Sequence, residues 1–164
     1  MGTGPGQIAT QDVIYESPLP WDPERPNTVI ICCVDGRWFS HFEEFARTRL
    51  KAGSRTDYLA VPGGIEPMTL FDLVPKDFNC FRRRIEGLVA SHGTRRIIAI
   101  AHQDCAWYQT RKIGPLPIDL RARQISDLKR AGARLREMFP SVAIETYFAG
   151  LSGAIPEKVV FHAV

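Results

Sequence analysis

Two periodicities share this chain. The run TVIICCV at 28–34 is unbroken, apolar and β-branched, the pattern of a strand buried on both faces. DYLAV at 57–61 and RRIIAIAH at 95–102 read the same way. VAIETYFA at 142–149 and EKVVFHAV at 157–164 predict two more strands, joined by the turn-forming stretch GLSGAIP. Between these runs the spacing becomes helical. At 39–51 the residues Phe39, Phe42, Phe45, Ala46 and Leu50 fall on one stripe. FRRRIEGLVAS at 81–91 predicts a second helix, and a long third runs from about Asp119 to Met138, closed by Pro140. The segment 68–79 holds Pro75 among mixed polarity and reads as a loop with one helical turn. The order β-α-β-α-β-α-β-β predicts an α/β fold: a mostly parallel central sheet flanked by helices, with a C-terminal antiparallel strand.

Composition changes this picture little. Residues 1–26 are a Pro/Gly-rich arm, and 27–164 are long enough for a single domain with its own core. A net charge of +3 does not imply a nucleic-acid partner, and the arginine clusters at 82–84 and 95–96 read as solvated faces. No apolar run approaches the roughly 20 residues that span a bilayer. No basic segment followed by an apolar one opens the chain. The expectation is a cytoplasmic protein with neither a membrane nor a nucleic-acid partner. Its four cysteines are then expected as thiols rather than disulfides.

The chemistry gathers where the strands end. In open α/β sheets, sites form beyond the C-terminal ends of strands. The first three strands end in CCVDGR, VPGGI and AHQDCAWY, so Cys33, His102 and Cys105 are placed to converge. Two thiolates and an imidazole suit Zn²⁺ and leave one tetrahedral position open. A metal so held brings the pKa of a bound water to about 7. Asp35 and Arg37 are expected to pair on an extended turn, the guanidinium keeping the carboxylate ionised and off the metal. Other readings stand beside this one. Cys33 could be a small buried hydrophobe. Cys32 or Cys33 could be a nucleophile in an Arg-bearing loop, as in rhodanese-like or phosphatase chemistry, although Asp35 would repel an anionic substrate there. Asp35 could be a fourth ligand, closing the site. Cys32 and Cys80 are expected in the core. His41, His92 and His162 lack partners at ligand spacing, and His41 is the candidate proton shuttle.

CVDGR followed by HQDC resembles the β-class carbonic anhydrases, whose signature is Cys-x-Asp-x-Arg and later His-x-x-Cys. The similarity covers residues 28–106 and extends more loosely to the last helix and strand pair. It implies zinc ligands Cys33, His102 and Cys105, one zinc per chain, and a catalytic pair Asp35 and Arg37. It also implies a substrate pocket at Gly63 and Gly64, which Trp107 of this chain is expected to border, a homodimer or larger homo-oligomer, and reversible hydration of CO₂ to bicarbonate. The chain departs from the pattern in Ala106-Trp107-Tyr108, where the family has small glycines, and in Ile65 and Gly36. Those departures keep two alternatives in view: hydrolysis of a CO₂ isostere such as COS or CS₂, and a silent zinc-binding module whose aromatics fill the pocket.

Overall fold

The computed structural model describes residues 14–52, 55–70, 72–110 and 119–164. Five strands, β1 (Thr28–Cys32), β2 (Thr56–Ala60), β3 (Arg96–His102), β4 (Ala143–Leu151) and β5 (Val159–Ala163), form one sheet in the order β2-β1-β3-β4-β5. The first four run parallel, and β5 lies antiparallel on β4. Four helices cover it: α1 (Gly36–Thr48), α2 (Pro75–His92), α3 (Ala106–Thr110) and α4 (Leu120–Met138).

Strand alternation divides the core in two. Val29, Ile31, Ile97 and Ala99 face Phe81 and Ile85 of α2 and Leu128 and Leu135 of α4. Ile30, Cys32, Ile98 and Ile100 face Trp38, Phe42 and Phe45 of α1. Both faces of β1 and β3 are therefore dry, which is why their sequences are continuously apolar. Each fully buried large side chain contributes about 1.5–3 kcal/mol.

Two helices differ from expectation at their beginnings, while α4 starts at its Asp119 cap as expected. α1 starts at Gly36, three residues ahead of the first stripe residue Phe39, because Asp35 caps it: its carboxylate accepts the backbone N–H of Arg37. Pro75 opens α2 rather than interrupting a loop, since the first turn of a helix needs no proline N–H. A short 3-10 turn, Glu66–Thr69, precedes it. α3 escapes a periodicity reading because five residues hold too little of a period. Cys80 is exposed, not in the core: α2 buries Phe78, Phe81 and Ile85, and position 80 lies off that stripe. The start of the arm (1–13) and the proline-containing connection at 114–118 lie outside the described residues. The rest of the arm has no regular structure and is tied down by ion pairs of Arg55 with Asp22 and Glu24. Among the described residues, no helix is long and apolar enough to cross a membrane.

Candidate metal centre

β1 and β3 are parallel neighbours, so their C-terminal ends open on the same edge of the sheet. Cys33 is the first residue beyond β1, His102 is the last of β3, and Cys105 stands immediately before α3. The Sγ atoms of Cys33 and Cys105 are 3.8 Å apart. With His102 they bring three ligand atoms, all buried, within 4.8 Å of one another.

His102 presents a bare acceptor to the two thiols. Its Nδ1 lies 2.7 Å from the carbonyl oxygen of Gln103. A carbonyl only accepts, so Nδ1 carries the proton and Nε2 keeps its lone pair. That Nε2 is buried and has no hydrogen-bond partner. An orphaned acceptor of this kind costs stability unless something fills the position. The ring is braced by Trp38, centroid to centroid 5.0 Å, and by Phe42 at 6.1 Å. The amide of Gln124 on α4 donates to the His102 carbonyl at 2.8 Å.

The donor set fits zinc. Two sulfurs bound to one tetrahedral zinc at about 2.3 Å stand about 3.8 Å apart, which is the separation found here. The thiols also share a proton unequally. The Cys33 thiol falls well below its ordinary value, chiefly through its contact with the Cys105 sulfur, with the backbone N–H groups of Asp35 and Gly63 acting in the same direction. Cys105 is pushed up correspondingly, by the same contact and by burial. Gly64 makes this close approach possible. Its φ is +60°, and a Cβ there would stand 3.1 Å from the backbone joining Cys32 to Cys33.

Asp35 and Arg37 do pair, although not on an extended turn: one caps α1 and the other lies in its first turn. Arg37 Nη2 is 2.6 Å from Asp35 Oδ2, and Nε is 3.0 Å from Oδ1. This fork, with the capping N–H, takes the Asp35 carboxyl down to about 2. Asp35 is outside the group of converging ligand atoms. Arg37 also reaches Asp104 through Nη1 at 3.2 Å. Asp104 itself sits at φ +58°, and Gln109 Nε2 donates to its Oδ1. The Asp104 contact ties the turn after β3 to the start of α1.

A pocket of about 300 Å³ opens over the ligands, lined by Cys33, Asp35, Pro62, Cys105 and Trp107 among others. Gly63 and Gly64 are buried rather than part of that lining. Trp107 forms a wall of the pocket and leaves it open. Tyr108 turns away into the protein, where its hydroxyl donates to Asp127 at 3.0 Å. His41 lines a different cleft, with Arg37 and Asp104. Cys32 packs on the α1 face, buried among Ile30, Trp38 and Phe42, and burial pushes its thiol up to about 12.

Residues 24–159 match the family described as "Putative carbonic anhydrase". The chain belongs to that family. Its fold is shared with isoform I of the β-carbonic anhydrase of Trichomonas vaginalis, at a TM-score of 0.54, 16% identity, and coverage of 88% of this chain and 87% of that one. Less similar are a tetrameric β-carbonic anhydrase of Sordaria macrospora (TM-score 0.45, 14% identity, 86% and 83% covered) and one of Aspergillus fumigatus (0.45, 12%, 86% and 76%). No curated protein matches the chain in sequence.

In this carbonic anhydrase family member, sequence reasoning missed Trp38, Glu66, Asp104 and Gln124. Trp38 carried a usable signal, since 38, 42, 45 and 46 share a helical stripe. The other three matter only through partners distant in sequence, and no local pattern marks them.

Proposed function

We propose that this chain catalyses the zinc-dependent, reversible hydration of CO₂ to bicarbonate, with one zinc per chain. The observation that carries this reading is the convergence of three buried donors with the Nε2 of His102 left bare. Cys33, His102 and Cys105 would hold the metal, which when bound supplies a water of pKa about 7 and an open coordination position. Arg37 holds both oxygens of Asp35, so the carboxylate stays ionised and faces the pocket as an acceptor that can orient a protonated nucleophile. Val34, Pro62, Ala106 and Trp107 give the pocket an apolar wall, suited to a small uncharged substrate. The open pocket and the inward turn of Tyr108 favour an active site over a silent one.

Assembly as a homodimer or larger homo-oligomer belongs to the same proposal. It is supported by the bare apolar side chains of Ile14, Leu19 and Trp21 on the arm. A reducing, cytoplasmic setting is consistent with four free thiols. Stopped-flow CO₂ hydration on protein of measured zinc content tests the function. Turnover in proportion to zinc is expected, and zinc-replete protein without turnover would overturn it. COS and CS₂ assayed in parallel separate CO₂ from its isosteres.

A further inference from the structure

Trp107 is held more firmly than a pocket wall requires. Its indole Nε1 donates to Oε2 of Glu66 at 3.1 Å. Its ring lies on the α-carbon of Gly63, where a Cβ would come within 2.3 Å of Cδ1, and Gly63 has φ +76°. Glu66 is 1% exposed, and its other oxygen is 3.9 Å from Nη2 of Arg123. A carboxylate buried this deeply costs several kcal/mol unless its partners compensate. An apolar side chain would fill the space without that cost but could not accept the indole proton.

The ring also has something behind it. Pro62 and Trp107 line the pocket over Cys33 and Cys105, and they line a second cavity of about 300 Å³ that Val61, Glu66 and Phe81 also border. One indole and one proline therefore divide two spaces of similar size.

We propose that Trp107 is a fixed partition that keeps ligands of the metal pocket out of the second cavity, and that Glu66 is the positioning residue that latches it. The inference rests on the reading that Cys33, His102 and Cys105 hold a metal, and it narrows the substrate class to molecules that fit the metal pocket alone, CO₂ and its sulfur analogues among them. Rotating or removing the indole would join the cavities and admit ligands one aromatic ring larger.

The test uses the full chain loaded with cobalt(II), whose visible spectrum reports ligands entering the pocket. Imidazole and 4-phenylimidazole are the probes. Unaltered protein should bind imidazole at least about 100-fold more tightly than 4-phenylimidazole, because the ring excludes the larger probe. Trp107→Ala should reduce that ratio to about fivefold or less. Glu66→Gln retains an oxygen for the indole and should keep the ratio, whereas Glu66→Met should lower it at least about tenfold. An unchanged ratio in Trp107→Ala or Glu66→Met would overturn the proposal. Absence of cobalt bands in the unaltered protein would instead refute the metal reading. The latch is then read without metal, by fluorine NMR of protein labelled with 5-fluorotryptophan, with Trp107→Phe assigning the resonance. A Trp107 line that stays single and sharp in Glu66→Gln but broadens or splits in Glu66→Met supports the latch. A line unaffected by Glu66→Met overturns it.

Discussion

The Nδ1–H of His102 is committed to the carbonyl oxygen of its own neighbour, Gln103, 2.7 Å away. The tautomer is therefore fixed by the backbone, and the free lone pair points to where two thiols already meet. A ligand site preset in this way loses little entropy on binding, and each member of the set should matter.

His102→Ala and Cys33→Ser are each expected to weaken zinc binding by more than about 100-fold. Zinc retained per chain after dialysis against a competing chelator checks this. CO₂ hydration should fall in parallel. A His102→Ala protein that keeps a full complement of zinc would remove His102 from the ligand set.

Asp35 has two tasks that substitution can separate. Asn is as good a helix cap as Asp, so Asp35→Asn keeps the start of α1 and loses the charge. Zinc content should change little, the melting temperature should fall modestly because the Arg37 pair loses its charge, and turnover should drop roughly 100-fold. Asp35→Ala removes the cap as well and should cost about 1 kcal/mol more in stability. Equal turnover in the Asn variant and the unaltered protein would place the chemistry elsewhere.

Gly64→Ala forces a side chain into a left-handed backbone, against the peptide that leads into Cys33. The conformation alone costs about 1–2 kcal/mol. Denaturant unfolding should show at least that loss, and zinc affinity should fall although no ligand has changed. Gly87→Ala, on a helix position open to a new Cβ, serves as the control and should not lose stability.

Away from the site, Glu145 supplies an acid-sensitive contact. Hydrogen bonds from Arg96, at 2.5 Å from Nε and 2.9 Å from Nη2, lower its pKa, and the hydroxyl of Tyr147 assists. A depressed carboxylate stabilises the fold at pH above its unfolded value, and that contribution disappears as pH falls through the folded value. Glu145→Gln should therefore be less stable than the unaltered protein at neutral pH by about 1 kcal/mol. The gap should close as pH falls below the ordinary glutamate range and through the lowered folded-state value. Urea titrations of both proteins across this range give the comparison, and a pH-independent gap would show that the pair's charge contributes nothing.

Much of the architecture was legible because the strands are dry on both faces. Val29 to Cys32 and Ile97 to Ala101 had to be continuously apolar, and such runs announce a parallel sheet. Cys33, His102 and Cys105 were legible because each sits at a strand end in a short motif. Pro75 misled because one residue both breaks and begins helices, and only the capping context decides which. Cys80 misled because residue type suggested burial while its place on α2 turned it outward. Asp104 and Glu66 were beyond reach: the first acquires its meaning from Arg37 and the second from Trp107, each across long sequence separations.

The sheet order has a last consequence, for the life of the chain before it is folded. Cys33 and Cys105 are 72 residues apart, and they meet only once β1 has accepted β3 alongside it. The thiol pair therefore needs the long-range pairing of β1 with β3. A metal bridging that span would act as a clasp on the fold, removing loop entropy from the unfolded chain worth about 4 kcal/mol. The same three side chains that would serve the reaction would then also fasten the protein that carries them.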